Sequence, residues 1–499
     1  MQLRRAILEK QVVELLTSGR QPAKQVPKLW RPHGYQRASV EFLLGQRASG
    51  LFLDPGMGKT SITLKAFDVL RQEGMVKRML VIAPLRPCYL VWPAEIDEWQ
   101  NFSHLRYSIL HGGQRQMQTA LEQDADVYII NPEGLPWLMS EGRLKQLGAQ
   151  VLTIDESSKF RHCNTRRFKL LKPALKTFDW RWILTGSPNS NGYLDLFGQV
   201  YLLDLGAALG QYITHYRQQY FYPTGYGGYT WKLQDGAEER IHKVLKPLVL
   251  RLDAEDYLKV PKPEPNIIRV DLSANARKVY DELEEDMITE LRSGAIVTAT
   301  NSGSALNKCC QVASGALYHM LDPTQPVFCG KRKWELVHNA KLEALQDLID
   351  ELQGSPLLLA YEYNHDLERI LKLLQGHKKE PVPYLGSGVS MPESMAIEKL
   401  WNTDQIAVLP GHPQSMGHGL NLQHGTCHHV AFFTMTWDFE LYDQFIQRVR
   451  RQGNKNKVVW VHHFVARRTV DEVKLRRLHS KNKTQRGLLD ALREYAKGR

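Results

Sequence analysis

The sequence predicts an α/β protein with two parallel-sheet lobes in tandem and helical insertions. Two observations carry this. Short, almost wholly apolar runs recur with helix-like stretches between them: GLFLD (50–54), MLVIAP (79–84), VYIINP (127–132), VLTIDE (151–156) and WILTGSP (182–188). They lack the polar alternation of a half-exposed strand, so they belong to strands buried on both faces, as in a parallel sheet covered by helices. A second series, LLLAYEY (357–363), IAVLPGH (406–412), VAFFT (430–434) and VVWVHHFV (458–465), repeats the pattern and defines the second lobe.

Between the two series the rhythm changes. ARKVYDELEEDMITELRSG (276–294) has helical periodicity, and YPTGYGGYTW (222–231) is a Gly/Tyr-rich turn. PKPEP (261–265) suits an inter-lobe linker, because alternating prolines favour extended backbone that cannot continue a helix. The expected organisation is a first lobe over 1–205, a helical protrusion and linker over 206–265, a helical insertion of the second lobe over 266–335, and the second lobe over 336–499, ending in a basic tail.

Composition narrows the class. With 499 residues, 43% hydrophobic and 24% charged, the chain sits at the globular average, which excludes wholesale disorder, collagen-like repeats and a coiled-coil rod. No run approaches the roughly 18 apolar residues of a membrane span, and the opening MQLRRAILEKQVVELL is broken by Arg4, Arg5, Glu9, Lys10 and Glu14. Neither export nor anchoring is signalled. The six cysteines include no C-x-x-C pair and read as reduced thiols, so a cytoplasmic location in a bacterium or a phage-infected host is expected, with no membrane partner. The net charge is +12, and the tail over 466–499 holds eleven Lys/Arg against four Asp/Glu. Such a stripe suits a polyanion binder, since each neutralised phosphate releases counterions, although a solvated basic helix has the same composition.

One motif carries chemistry outright. After the first predicted strand comes DPGMGKTS (54–61), then the helix-forming ITLKAFDVL. In a strand, Gly-rich turn and helix of this kind, Pro55, Gly56, Met57, Gly58, Lys59, Thr60 and Ser61 form a phosphate cradle. Backbone N–H groups and the helix N-terminus face the β-phosphate, Lys59 reaches the β- and γ-phosphates, and the Thr60 hydroxyl ligates Mg²⁺. Leu53 stands where the spacing G-x-x-x-x-G-K-[ST] has its first glycine, a departure from the bare pattern. The run VLTIDE then ends in adjacent carboxylates. Asp155 can hold Mg²⁺ through water, and Glu156 can orient and deprotonate an attacking water. On one sheet with Lys59, the pair makes a phosphoanhydride hydrolase site.

Taken in order, the motifs resemble the superfamily 2 helicase-like ATPases, and within them the Snf2 branch of DNA translocases, over about 32–472. PHGYQ (32–36) is similar to the Q motif, with Gln36 reading adenine. DPGMGKT is similar to motif I, APLRPCYLVWPAEIDEW (83–99) to motif Ia, DESSKFRH (155–162) to motif II and LTGSP (184–188) to motif III. In the second lobe LLLAYEYNHDLERI resembles motif IV, MGHGLNLQ (416–423) motif V, and WDFELYDQFIQRVRRQG (437–453) the Trp-containing segment leading into motif VI. LKPLVLRLDAEDYLKVPKPE (245–264) and TVDE (469–472) are similar to the family's connectors. The stretch 222–231 loosely resembles the fork-remodelling, strand-annealing relatives.

The resemblance implies two RecA-like lobes and an ATP-dependent, Mg²⁺-requiring translocase that hydrolyses ATP to ADP and phosphate while moving on double-stranded or forked DNA. Arg448 and Arg451 fall on the two arginines of motif VI, and Arg450 on its intervening His, which makes the first two the arginine fingers from the far lobe. Gly417 and Gly419 permit close backbone approach to nucleotide and DNA phosphates, and Asn421 offers an amide to the same place. Motif II usually ends in His, where this chain has Ser157 and Ser158. A serine hydroxyl can bridge to Thr185 over a shorter reach, which favours ATPase chemistry over tight coupling.

The chain has no recognisable reader module, so it resembles a compact motor of bacteria and tailed phages, and nothing in it names a protein partner. Two other readings stay open: a nucleotide-gated DNA clamp with weak turnover, and a strand-separating DNA or RNA helicase. The cluster of His412, His418, His424, His428, His429 and Cys427 fits no structural zinc spacing, and Cys309 and Cys310 read as small core residues.

Overall fold

The computed structural model describes residues 27–186, 188, 192–224, 230–258, 260–292, 305–319, 333–376, 381–416 and 420–479. They form two compact units divided between residues 259 and 260.

The first unit opens with helix α1 (Gly34–Leu44), strand β1 (Ala48–Leu53) and helix α2 (Lys59–Gln72). Strand β2 (Met79–Ile82), helix α3 (Trp92–Glu98) and strands β3 (Tyr107–Leu110), β4 (Val127–Ile130), β5 (Val151–Asp155) and β6 (Trp180–Thr185) follow. Helix α4 (Leu196–Asp204), the antiparallel hairpin β7 (Phe221–Thr224) and β8 (Thr230–Leu233), helix α5 (Ala237–Leu245) and strand β9 (Val249–Leu252) complete it. Seven strands make one sheet in the order β3-β4-β2-β5-β6-β1-β9, with every neighbouring pair parallel. β2 and β4 are buried at every residue, which is why their sequences, MLVI and VYII, carry no polar alternation.

The second unit opens with strand β10 (Lys262–Val270) and helices α6 (Ala274–Arg292) and α7 (Ala305–Ser314). A short hairpin of β11 (Ala316–Tyr318) and β12 (Trp334–Leu336), helix α8 (Ala340–Glu351), strand β13 (Leu357–Ala360), and helices α9 (Asn364–Gln375) and α10 (Met391–Asn402) come next. Strands β14 (Val408–Gly411) and β15 (His429–Phe432), helix α11 (Phe439–Ile446), strand β16 (Val458–Ala466) and helix α12 (Val470–His479) close the described chain. The sheet is parallel throughout, in the order β10-β16-β15-β13-β14. A buried ion pair, Lys341 Nζ to Asp471 Oδ2 at 2.7 Å, ties α8 to α12, and the same ammonium donates to the Phe433 carbonyl at 3.1 Å.

The observed boundaries differ from the expected ones at the connector. β9 lies within the stretch assigned to the protrusion but pairs with β1 in the first sheet. The Pro-rich 261–265 segment is extended, as its prolines require, but it is the start of β10, paired with β16 from Lys262 to Val270. Pro263 and Pro265 lack an N–H to donate, and an edge strand bonded on one side is where a sheet tolerates that. The regions expected as a helical protrusion and a helical insertion also carry the β7–β8 and β11–β12 hairpins.

Candidate nucleotide site

In a parallel sheet the carboxyl ends of all strands share one side, and there the first unit gathers its chemistry. β1 and β5 flank β6, so the loop after β1 and the carboxylates after β5 stand about 9.5 Å apart by strand spacing. The loop is set by its glycines and by α1. Gly58 caps α2 with φ 79°, and a Cβ there would meet Gln36 Nε2 at 2.5 Å, so neither the backbone nor the space admits a side chain. Gln36 is buried and engages the loop itself: its Nε2 donates to the Met57 carbonyl at 3.2 Å while its Oε1 accepts from the His33 N–H at 2.9 Å. Tyr35 donates to the same carbonyl at 3.2 Å. Met57 is fully buried and anchors the turn from below. Asp54 closes it at the other side, accepting from the Ala254 N–H at 2.9 Å.

Lys59 begins α2, and its ammonium donates to the carbonyls of Leu53 at 2.7 Å and Asp54 at 3.3 Å, across the loop's own mouth. Thr60 and Ser61 are buried in the first helical turn, and Ser61 Oγ donates to the Gly58 carbonyl at 3.1 Å. Pro55 and Gly56 complete the turn, Gly56 with φ 84°.

Asp155 ends β5 and accepts from the Trp92 indole N–H at 3.1 Å. Burial first, and the neighbouring Glu156 second, push its carboxyl up from 3.8 to about 6, while Lys59 pulls the other way. Glu156 has φ 51°, a left-handed conformation rare for a residue with a side chain, and its N–H donates to Asp155 Oδ1 at 3.0 Å. Trp92 was not legible as a partner, because 63 residues separate it from Asp155.

A stability consequence follows. Asp155 holds its proton more tightly folded than unfolded, so its own contribution to stability falls as pH rises from about 3.8 to about 6 and stays lower above that. Asp155→Asn removes the charge and should stabilise the protein at pH 7 by about 1–2 kcal/mol, discounted for the residue's partial exposure. Denaturant melts at pH 7 and pH 4 check this: the gain should vanish at pH 4, and a loss of stability at pH 7 would contradict it.

Of the two serines of the motif II segment, Ser157 is bonded to α4. Its hydroxyl donates to Gln199 Oε1 on α4 at 2.8 Å.

In the second unit, Asp438 caps α11 by accepting from the N–H groups of Glu440 and Leu441, which sets the segment carrying the arginines. Arg448 is buried and donates to the Leu420 carbonyl at 3.0 Å. Arg451 is half-buried, and its Nη1 donates to Asn421 Oδ1 at 3.0 Å, which joins it to the motif V segment. Asn421 is itself held through its N–H by Glu398 of α10 at 3.0 Å. Arg450, at the position of the intervening His, donates to the Pro261 carbonyl at 2.8 Å, just beyond the division of the chain. Gly417, His418 and Gly419 lie outside the described residues.

The basic tail is corrected in part. It contains α12, whose inner face turns two of the charges into the unit: Lys474 donates to the Met435 carbonyl at 3.0 Å and covers the Trp437 ring at 4.9 Å, and Arg477 donates to the Trp437 carbonyl. Both are buried, with their charge spent on carbonyls of their own unit. Arg467, Arg468 and Arg476 are exposed, whereas Lys481 and Lys483 lie outside the described residues. Among the described residues, no group of three His, Cys, Asp or Glu could hold a metal ion, and no helix is long and apolar enough to cross a membrane. His429 Nδ1 instead meets His462 Nε2 at 3.1 Å, and Cys427 is buried against the Pro356 carbonyl.

The described chain thus carries a glycine-rich loop between β1 and α2, two carboxylates after β5 in the same parallel sheet, and a second parallel-sheet unit with a paired-arginine segment. The chain matches the SNF2-related domain over residues 35–314, more than half its length, and it belongs to that family. It is 33% identical over 482 residues to "Putative protein p41" of Acyrthosiphon pisum secondary endosymbiont phage 1, covering 93% of this chain and 99% of that protein. It is 25% identical over 479 residues to the ISWI chromatin-remodeling complex ATPase ISW1 of Saccharomyces cerevisiae, covering 90% of this chain but 39% of the yeast protein. Among solved structures, the Sulfolobus solfataricus SWI2/SNF2 ATPase core in complex with dsDNA is 21% identical with a TM-score of 0.42, covering 90% of this chain and 91% of that one.

Proposed function

We propose that this protein is an ATP-driven translocase that moves on double-stranded or forked DNA. The observation that carries this is Lys59 at the head of α2 and the Asp155–Glu156 pair at the end of β5, on the same side of one parallel sheet. Membership of the SNF2-related family, a yeast relative named as an ATPase, and a net charge of +12 support it.

In this reading the N–H groups of the loop from Pro55 to Ser61 bind the phosphates of ATP, and Lys59 exchanges its loop carbonyls for phosphate oxygens. Gln36 holds the loop's shape through Met57 and, in this reading, also recognises the adenine. Thr60 and Asp155 would hold Mg²⁺, whose charge neutralises phosphate oxygens when bound. The donor set fits: a hydroxyl and a carboxylate are hard oxygen ligands. Glu156 orients the attacking water and takes its proton. Arg448 and Arg451 supply positive charge to the γ-phosphate in the transition state, and Arg467, Arg468 and Arg476 add phosphate contacts to DNA.

The test is the ATPase rate, side by side, without nucleic acid and with single-stranded DNA, duplex DNA, forked DNA and RNA. Stimulation of at least tenfold by duplex or forked DNA is expected, with RNA well below it. Equal rates in all five would overturn the DNA-motor reading, and a preference for RNA would redirect it.

A further inference from the structure

The structure assigns to Gln199 the task of coupling the Glu156 turn to Pro188, which follows β6. Gln199 sits on α4, is fully buried, and uses both ends of its amide. Its Oε1 accepts from Ser157 Oγ at 2.8 Å, directly after Glu156, while its Nε2 donates to the carbonyls of Pro188 at 2.6 Å and Asp195 at 3.0 Å. Ser157 is buried as well, so the connection is dry at both partners.

A second observation stands apart from these bonds. Gly198 precedes Gln199, and a Cβ there would meet the Phe160 carbonyl oxygen at 2.4 Å and that of Arg161 at 2.5 Å. Only a glycine lets α4 press on the backbone of the turn after Asp155. Arg161 and Asp195 lie 3.9 Å apart on the same contact. One helix face thus grips the turn at Ser157 and at Phe160–Arg161, and the same amide holds Pro188.

Glu156 has to keep a left-handed backbone to aim its carboxylate, and such a conformation persists only where its surroundings over-determine it. Gln199 provides that restraint from a position outside the recognised motifs, and it acts through Ser157, the residue before the one that takes the place of the motif II His. Gln199 is therefore a positioning residue. Its link to DNA stimulation rests on the translocase reading; its link to the shape of the turn does not.

Gln199→Leu keeps the bulk and removes the amide; Ser157→Ala removes the partner hydroxyl. Each should lower DNA-stimulated kcat at least tenfold while the Kd of a fluorescent ATP analogue stays within twofold. The double variant should be no slower than the slower single variant, since both cut one connection. Amide hydrogen exchange across residues 156–160 should rise about tenfold in each variant, with α2 unchanged. If wild-type turnover is not raised by DNA, the motor reading fails, and the exchange result still decides the coupling. Unchanged exchange at 156–160, or single-variant losses that multiply in the double, would overturn the role of Gln199.

Discussion

Glu156→Gln is expected to bind ATP with wild-type affinity and to hydrolyse it at least 100-fold more slowly, a barrier increase of about 2.7 kcal/mol. The amide preserves size and polarity, and the backbone N–H that donates to Asp155 Oδ1 is untouched. What is lost is the ability to take a proton from water. The variant should accumulate with ATP and DNA bound. Lys59→Ala differs in kind, because the lost ammonium belongs to the phosphate loop, and ATP binding should weaken along with turnover. Single-turnover hydrolysis beside equilibrium binding separates the two. If Glu156→Gln hydrolyses ATP within about tenfold of wild type, the assignment of Glu156 is wrong.

Arg451→Ala is expected to leave ATP affinity nearly intact and to remove DNA-stimulated turnover, with a loss of the order of 10³-fold. Arg451 is half-buried and held by the Asn421 side chain, so its guanidinium is placed by motif V and not by the core. Arg448 is buried beneath Leu420, and Arg448→Ala should therefore lower the melting temperature as well as the rate. Unchanged stimulated turnover in Arg451→Ala would point to Arg448 alone as the charge that meets the γ-phosphate.

The strands that the sequence reveals are those buried on both faces, such as β2 and β4, where continuous apolar runs leave no ambiguity. β3, β9 and β10 escaped notice, and all three are edge strands. β3 is buried only at alternate residues, β9 only in part, and β10 carries prolines that argue against a strand unless it is known to lie at an edge. The phosphate loop is legible because its glycines, lysine and threonine are contiguous. The groups around it are not: Trp92 reaches Asp155 from 63 residues away and Gln199 reaches Ser157 from 42, and no local pattern marks either. The tail shows the opposite failure. Charge counted along the sequence does not distinguish Arg476, which is exposed, from its neighbour Arg477, which α12 buries.

Movement on DNA driven by ATP is measured most directly by displacement of a third strand from a DNA triplex. Wild-type protein with ATP and Mg²⁺ should release the third strand while the underlying duplex stays paired, and Lys59→Ala or a non-hydrolysable analogue should release none. ATP hydrolysis on the triplex substrate without release of the third strand would contradict translocation and leave a nucleotide-gated clamp; release accompanied by separation of the duplex would make the protein a helicase.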